Sequence, residues 1–503
     1  MIRPLELLRA AGTAIGKQFA AVAGQSERTI LLGTIFLASA VSGVTGFVLT
    51  QYFSVDVISS ILYPAPDCWL GLPTNIGRHC FNDYTIVAAA GMRPNPWNPL
   101  VLPHIPEAIP GIRYPAAGMV PQVAFGMLGK VLSAPRLGVV SYLLAMSIGL
   151  LLPAIWAARG AQGLERIVVF VACGALAYPA WFAIDRGNSV GFVVPIALVF
   201  LVALCRQRWG LVALMVVLAA LVKPQFAVLG VVLLAGRQWR LTGAAVIGGI
   251  GTNLAAYLLW PRDFPQTILQ STHNLSANDA EAVAELNNVS FTKLLLLIPD
   301  SIAVLNNGGK LPAGFFAGPR MMLGYAILAL VAVAMLALGR RIPPVMAGIV
   351  ALATASLSFP VSYPYYLVFA LPIAALVVRD PDGPPGCGIF DRPAFVGGRR
   401  RVVGVCVSLA AALTIAAPIA SAGTARGFIP IGGQPGVIGL IDKTPVVPTS
   451  VTLSPLLWLV ACAAIIVSYA RRPLPSNVTD ASSPSVSGEG QPTPAAVSQG
   501  DSA

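Results

Sequence analysis

The stretch WGLVALMVVLAALVKPQFAVLGVVLLAGRQWR, from Trp209 to Arg240, decides how the whole chain is read. Between Trp209 and Gly236 it carries a single charged residue, Lys223, and Pro224 follows at once. Proline removes a backbone donor and forces the residue before it out of the helical region. Each limb is then shorter than the roughly 20 residues that cross a hydrocarbon core about 30 Å thick. Arg206 and Arg208 precede the run, and Arg237 and Arg240 follow it. Positive charge between apolar segments marks the cytoplasmic side of a membrane. Both ends of the run therefore belong on that side, and the run reads as a hairpin with Lys223-Pro224 at its outer tip.

Outward from this hairpin, apolar segments fill the chain: near Ile30–Phe53, Leu137–Ala157, Ile167–Phe182, Val190–Cys205, Leu241–Trp260, Met321–Leu338, Val345–Phe359, Tyr365–Val378, Val402–Ala420 and Leu453–Tyr469. Of 503 residues, 56 % are hydrophobic and only 10 % charged, and mean hydropathy is +0.77. Soluble domains carry about 25 % charged residues, so this chain cannot coat a surface of such size in water. A closed barrel would show short alternating segments, which are absent. The expected fold is an all-α polytopic membrane protein, a helical bundle with outer loops and interfacial helices.

Further basic clusters stand at Arg159/Arg166, Arg340/Arg341, Arg399 to Arg401 and Arg471/Arg472. If every cluster is cytoplasmic, an even number of crossings separates each pair, which gives about twelve crossings with both termini inside. By this parity Pro115–Leu132 is an interfacial or half-inserted helix and Leu137–Ala157 the crossing. Residues 1–29 then form a basic cytoplasmic N-terminus, 30–380 a membrane module with outer loop 54–114, and 381–401 a cytoplasmic loop. Residues 402–470 add two transmembrane helices, and 471–503, rich in Ser, Pro and Gly, a disordered tail. Asn477 in that tail matches a glycosylation pattern only by chance.

The net charge of +12 lies in these topology-setting clusters and is no sign of nucleic-acid binding. The seven cysteines lack metal-type spacing. Cys173, Cys205, Cys406 and Cys462 belong to apolar runs, and Cys387 to the cytoplasmic loop. Cys68 and Cys80 share the first outer segment, where an oxidising compartment permits a disulfide. No Gly-rich strand-to-helix fingerprint for a nucleotide is visible, and neither a cofactor nor a metal is expected.

Ionisable groups at membrane depth are costly and tend to mark function. Here they converge on the outer face. Asp83, in Phe81-Asn82-Asp83-Tyr84, could take a proton from an attacking hydroxyl, or could be a solvated turn former. Asp56, Asp67 and Glu107 compete with it. Arg186, in Asp185-Arg186-Gly187-Asn188, is a positive charge on the outer side and suits a phosphate. A local Asp185–Arg186 pair capping a tight turn is the alternative. Lys223 at the hairpin tip offers a compact ammonium for the same ligand, or else snorkels to the interface. His273, with Asn274, sits in the outer segment 261–319. Asn288, before Ser290-Phe291, either binds hydroxyls or caps a helix. Tyr363 and Tyr366 in Tyr363-Pro364-Tyr365-Tyr366 form an aromatic belt or stack on sugars.

Read in order, these pieces make a pattern: Asp83-Tyr84, Arg113-Tyr114-Pro115, Arg186-Gly187-Asn188, Leu221-Val222-Lys223-Pro224, Gly236 to Arg240, Asn288-Val289-Ser290-Phe291 and Ser362 to Leu367. Over residues 30 to 380 the chain resembles glycosyltransferase family 87. These are GT-C enzymes that include actinobacterial mannosyl- and arabinofuranosyltransferases using polyprenyl-phosphate sugars. The resemblance implies a GT-C fold, with Asp83 as catalytic carboxylate and Arg186 and Lys223 on the donor phosphate. Tyr84, Arg113, Tyr114, Asn188, His273, Asn288, Tyr363 and Tyr366 are then the candidate pocket. The chain departs from the family in having Ala116 where Tyr-Pro-Pro is usual, a Pro-rich 95–113 segment and two added spans.

The implied activity is inverting transfer of mannose or arabinofuranose to an envelope glycan or glycolipid, outside the bacterial plasma membrane. The partners are then the polyprenyl-phosphate donor, the acceptor and membrane lipid. A transporter or flippase of a lipid-linked sugar is the alternative from the same cations. It calls for inverted repeats or paired broken helices, of which one broken hairpin is visible.

Overall fold

The structure, a computed structural model, describes residues 24–53, 81–99, 111–276, 283, 287–308, 312, 314–315, 318–398, 400–419, 425–430, 438–443 and 449–471. Cys68, Cys80, Asp56, Asp67, Glu107 and the expected tail beyond Arg471 lie outside the described residues.

Helix α1 (Glu27–Phe53) is followed by α2 (Asn82–Gly91), α3 (Ala116–Val131) and α4 (Pro135–Ala158). Next come α5 (Leu164–Phe170), α6 (Tyr178–Arg186) and α7 (Val193–Cys205). The hairpin is formed by α8 (Trp209–Val222), a 3-10 turn Pro224–Leu229 and α9 (Gly230–Ala235). Then follow α10 (Trp239–Tyr257), α11 (Gln266–Ser276), α12 (Phe291–Asn306), α13 (Leu323–Leu338) and α14 (Pro344–Leu357). The last helices are α15 (Ala370–Val378), α16 (Arg401–Ile415) and α17 (Thr449–Ala470). Between α16 and α17 lies a two-stranded antiparallel ribbon, β1 (Ala425–Pro430) with β2 (Ile438–Lys443). An all-helical expectation does not include this ribbon.

Apolar helices occupy two kinds of place. Every residue of α14 from Val345 to Leu357, and every residue of α15, is buried. A helix that is apolar all round belongs inside the protein, and these two form the centre on which α4, α7 and α16 pack. By contrast α1 presents Leu37, Val44 and Phe47, and α10 presents Ile247 and Ile250, all more than half exposed. Contiguous apolar surface of this kind suits lipid rather than water.

Among the described residues, four helices are long and apolar enough to cross a membrane alone: Glu27–Leu49, Pro135–Ala158, Gly318–Arg341 and Thr452–Ala470. The segment expected to cross as one span, Ile167–Phe182, is instead broken. Its halves, Leu164–Ala175 and Tyr178–Arg186, meet at 44°. Pro179 has no N–H for the carbonyl one turn back at Ala175, and the indole of Trp181 donates to that carbonyl at 2.8 Å. A π turn at Val171–Ala175 takes up the rest of the kink. Six further apolar helices among the described residues run 10–17 residues, and the 19-residue α10 is not apolar enough to count as a span, so helix length and hydropathy by themselves do not supply about twelve full crossings.

The basic clusters gather at one end of the bundle. Arg28 pairs with Glu165 at 2.6 Å and Arg206 with Asp382 at 2.7 Å. Arg379 donates to the Trp156 carbonyl at 2.6 Å and lies over the Trp156 ring. The hairpin returns to this end, because a side chain on Gly236 would strike the Trp209 ring. Helix α3 behaves differently. Gly118 lies against the Val222 carbonyl and Gly129 against Gly138, so it starts and finishes near the opposite end.

The α3–α4 crossing is built on glycine. A Cβ on Gly138 would stand 2.5 Å from the Phe125 carbonyl oxygen, with Gly129 Cα at 3.3 Å. Backbone cannot yield as a side-chain tip can, so Gly138→Val must part the helices, an overpacking cost of about 1–3 kcal/mol. The expected result is a lower thermal unfolding midpoint of the detergent-solubilised protein. Gly243→Ala, in open space on α10, should leave the midpoint unchanged or slightly raised.

Candidate active site

Helix α6 ends in a way that sets the site. Gly187 takes a left-handed conformation, φ 64 and ψ 31. Its N–H bonds to the Ile184 carbonyl at 3.0 Å, and the Asn188 N–H reaches back to Ala183 at 3.1 Å. This is a Schellman ending, which glycine alone adopts without strain. A Cβ there would also stand 2.8 Å from Tyr84 Cβ, so the α2 backbone comes in close.

The ending leaves Arg186 on the last turn of α6 and Asn188 just past it. Asn188 caps the following 3-10 turn, its Oδ1 accepting from the Val190 N–H at 3.0 Å. That fixes the amide orientation, and Nδ2 then donates to Asp83 Oδ2 at 2.7 Å. Arg186 donates to Asp83 Oδ1 at 3.1 Å. One helix ending therefore holds both oxygens of a carboxylate that lies in the first turn of α2. The two side chains of the ion pair keep 20 % and 17 % of their surface exposed, enough for a ligand to reach them.

Lys223 comes from the hairpin tip. Pro224 forces it into an extended conformation, φ −144 and ψ 113, which ends α8 and turns the side chain away from the helix. The residue is only 5 % exposed. Its Nζ donates to the Tyr114 hydroxyl at 2.7 Å and sits 5.8 Å from the Tyr366 ring centre. The Tyr114 hydroxyl is also 3.5 Å from Asn188 Nδ2. Asp83, Arg186, Asn188, Tyr114, Lys223 and Tyr366 thus form one cluster drawn from five separate parts of the chain.

Burial pushes the Asp83 carboxyl above the ordinary value of 3.8, against the lowering pull of Asn188 and of the Lys223 charge. Burial, and then the Asp83 charge, hold the Tyr114 phenol well above its usual value. A carboxylate raised in this way is a better proton acceptor than a solvated one.

The remaining candidates divide. Arg113 lines a cavity of about 320 Å³ with Asp83 and Tyr114. It also borders a second cavity of about 610 Å³ next to His273, so His273 lies beyond the carboxylate and not beside it. Tyr84 is 2 % exposed and packs on Tyr142 with ring centres 4.6 Å apart, which anchors the first turn of α2, the turn that carries Asp83. Tyr363 and Tyr366 both border Tyr365, at 5.6 and 4.9 Å, and Tyr366 reaches the cluster. Asn288 is fully buried, and all four of its hydrogen-bonding positions are taken by backbone at Val283, Pro360, Ser290 and Ser362. It braces the 360–362 loop and has nothing left for a substrate. Beyond the local Asp185 considered in the sequence, Arg186 bonds Asp83 across the cluster.

Two contributors are not legible in the sequence. The Tyr142 hydroxyl donates to the Gly187 carbonyl at 3.0 Å, but a lone Tyr inside an apolar run carries no signal. Trp97 donates to the Tyr114 carbonyl at 2.9 Å and accepts from Asn274 at 3.0 Å, tying the outer segments behind Tyr114. Among the described residues, no group of three or more His, Cys, Asp or Glu could hold a metal ion.

The family model of glycosyltransferase family 87 matches residues 114–362, which bears out the resemblance read from the sequence. Together with the apolar helices, it indicates a membrane glycosyltransferase. The matched region contains Tyr114, Arg186, Asn188 and Lys223, and it begins beyond Asp83. No curated protein and no solved structure matches the chain.

The geometry of Gly187 and the bracing by Asn288 separate in experiment. Gly187→Ala adds strain of about 1–2 kcal/mol and pushes on Tyr84, so transfer activity should fall more steeply than stability. Asn288→Ala strands several backbone groups at about 1–3 kcal/mol each. It should lower the thermal midpoint first and the activity of the surviving fold little.

Proposed function

We propose that the protein moves a sugar, mannose or arabinofuranose, from a polyprenyl phosphate to a hydroxyl of a cell-envelope glycan or glycolipid. The observation that carries this reading is the Asp83 carboxylate held between Arg186 and Asn188, with Lys223 on the same cluster. Two cations beside a raised carboxylate suit a phosphate leaving group and an attacking hydroxyl.

In this mechanism the donor phosphate draws Arg186 from Asp83 and takes up Lys223, which exchanges its bond to Tyr114 for one to phosphate. The acceptor oxygen attacks the anomeric carbon from the face opposite the phosphate, while its proton passes to Asp83. The bond from the anomeric carbon to the phosphate oxygen breaks, and its electron pair leaves with the polyprenyl phosphate. Configuration inverts. Negative charge grows on the phosphate in the transition state, where fixed cations stabilise it most. Asn188, clamped by the turn it caps, keeps Asp83 aimed after Arg186 has moved. A sugar phosphate carries its own leaving group, so this chemistry asks for no nucleotide domain.

Sidedness follows from the two ends of the bundle. From Tyr142, at the level of Gly187, to Ala158, at the arginine-rich end, is about 24 Å along α4. This is close to the thickness of a hydrocarbon core. With the arginine-rich end in the cytoplasm, the Asp83 cluster opens at the outer face of the bacterial plasma membrane, and both termini lie inside. On the parity of the basic clusters the chain makes about twelve crossings, and α3 lies along the outer interface.

Three kinetic outcomes are expected of the reconstituted full chain with labelled polyprenyl-phosphoryl mannose or arabinofuranose and envelope acceptors. Asp83→Asn should lose about 10²- to 10⁴-fold in kcat while still binding donor. Arg186→Met and Lys223→Met should each lose about 10²- to 10³-fold. The base form of Asp83 disappears as pH falls through its raised pKa, so kcat/KM should drop on the acid side at a pH above the ordinary aspartate range. Transport of intact donor without new glycosidic product would instead favour the flippase.

A further inference from the structure

At the arginine-rich end of the bundle a cavity of about 280 Å³ lies between the base of the hairpin and the turn from α13 to α14. Gln207 and Trp209 line it from the α8 limb, Val232 and Gln238 from the α9 limb, and Arg340 and Pro344 from the turn. The three turns around it, at 206–208, 237–240 and 339–341, hold six arginines and no Asp or Glu. Arg206 pairs with Asp382 at 2.7 Å. Among the described residues none of Arg208, Arg237, Arg240, Arg340 and Arg341 meets a carboxylate.

The backbone around the cavity is strained at two places. The ending of α7 puts Gln207 at φ 53, and that of α9 puts Arg237 at φ 58, the left-handed conformation that glycine takes most easily. Each ending is closed by two backward N–H bonds: Gln207 to Leu204 and Arg208 to Ala203, then Arg237 to Leu234 and Gln238 to Leu233. Carbonyls at both helix ends are thereby engaged, while α8, α10 and α14 begin here without a side-chain cap. Helix beginnings favour negative charge. Arginines that only set topology need neither a cavity nor a polar side chain on its wall at a position better suited to glycine, yet Gln207 supplies one.

Two further features fix the level of the cavity. Trp209 lies on its wall, and Trp239, more than half exposed, stands at the start of α10; tryptophan gathers at the membrane–water interface. The exposed face of α13, with Leu330, Val333 and Leu336, runs down to the turn that carries Arg340 and suits an acyl chain. We propose that the cavity binds the phosphodiester headgroup of an anionic phospholipid, its acyl chains lying along α13. On the proposed sidedness this is a lipid of the inner leaflet, but the binding itself depends on neither the sidedness nor the transferase reading. Guanidinium groups hold phosphate oxygens through paired N–H bonds, and basic pockets between membrane helices take such headgroups. A soluble phosphate would answer the charge and leave the α13 face and the flanking tryptophans without a role. Since both limbs of the hairpin and the first turn of α14 form the wall, a bound headgroup ties the hairpin base to the buried centre.

The full chain, purified in detergent and stripped of native lipid, is titrated with phosphatidylglycerol while thermal unfolding is followed. The midpoint should rise with concentration, as for any ligand that binds the folded state. Phosphatidylcholine and glycerol 3-phosphate should raise it little at the same concentrations. For Arg340→Gln the concentration that gives half the rise should increase about tenfold. Arg340→Lys, which keeps the charge and loses the fork, should fall between that variant and wild type. Arg166→Gln, an exposed arginine at the same end and outside the cavity lining, should titrate as wild type. An unchanged titration in Arg340→Gln, or an equal rise with phosphatidylcholine, overturns the proposal. So does an equal rise with glycerol 3-phosphate, which would make the ligand a soluble anion.

A phosphatidylglycerol with a photoreactive headgroup tests the wild-type chain directly, even if Arg340→Gln does not survive purification. The label should fall on the turns that wall the cavity, within 206–210, 236–240 or 339–347, and unlabelled phosphatidylglycerol should displace it. Label spread equally over the arginines at 159 and 166 would reduce the cavity to general surface charge and sink the proposal. Neither readout follows sugar transfer. Failure here therefore leaves the transferase reading untouched, and loss of that reading leaves this site standing.

Discussion

A carboxylate mostly withdrawn from water must be paired or hydrogen-bonded, since its hydration is lost and nothing apolar replaces it. At Asp83 both requirements are met by the end of α6, through the guanidinium of Arg186 and the clamped amide of Asn188. Much of the surrounding architecture serves that meeting. Gly187 closes α6 and clears the space into which Tyr84 fits. Tyr142 fixes the Gly187 carbonyl from α4, and α2 brings Asp83 down onto it. Removing any one of these loosens a contact between residues more than 100 positions apart.

The same economy governs the second half of the cluster. Lys223 is extended because Pro224 follows it, and it is buried because Tyr114 and Tyr366 close over it. A helix-breaking residue at a hairpin tip is tolerated in a membrane when the exposed backbone is covered by protein. Lys223 shows how: its N–H still bonds Ala219, and its carbonyl receives the Phe226 N–H. The enclosed helix α14 underlies the hairpin turn at Pro224–Leu229, and α6 packs on the 364–369 turn that leads into α15.

How much of this was legible in the sequence follows from the range of each interaction. The hairpin at Lys223-Pro224 could be read because charge parity and proline are local signals. The convergence of Asp83, Arg186 and Lys223 was reachable through the order of the motifs and the family resemblance. The bond between Asp83 and Arg186 was not, because Asp185 stands next to Arg186 and offers the nearer partner on paper. Asn288 reads in sequence like any loop asparagine. Only its surroundings reveal that backbone takes all of its bonds. Tyr142 gave no warning within an apolar run. The break before α6 was hidden since Pro179 interrupts the backbone without disturbing the hydrophobic pattern, and the β1–β2 ribbon had no alternating stretch long enough to announce it.

The central claim is that the donor phosphate and the acceptor hydroxyl meet on this one cluster. It is tested most directly by determining the structure of Asp83→Asn with an intact polyprenyl-phosphoryl sugar bound. The phosphate should lie within hydrogen-bonding distance of both Arg186 and Lys223, with the anomeric carbon turned toward residue 83. A phosphate bound elsewhere, with Arg186 still on residue 83 and Lys223 still on Tyr114, would contradict the account.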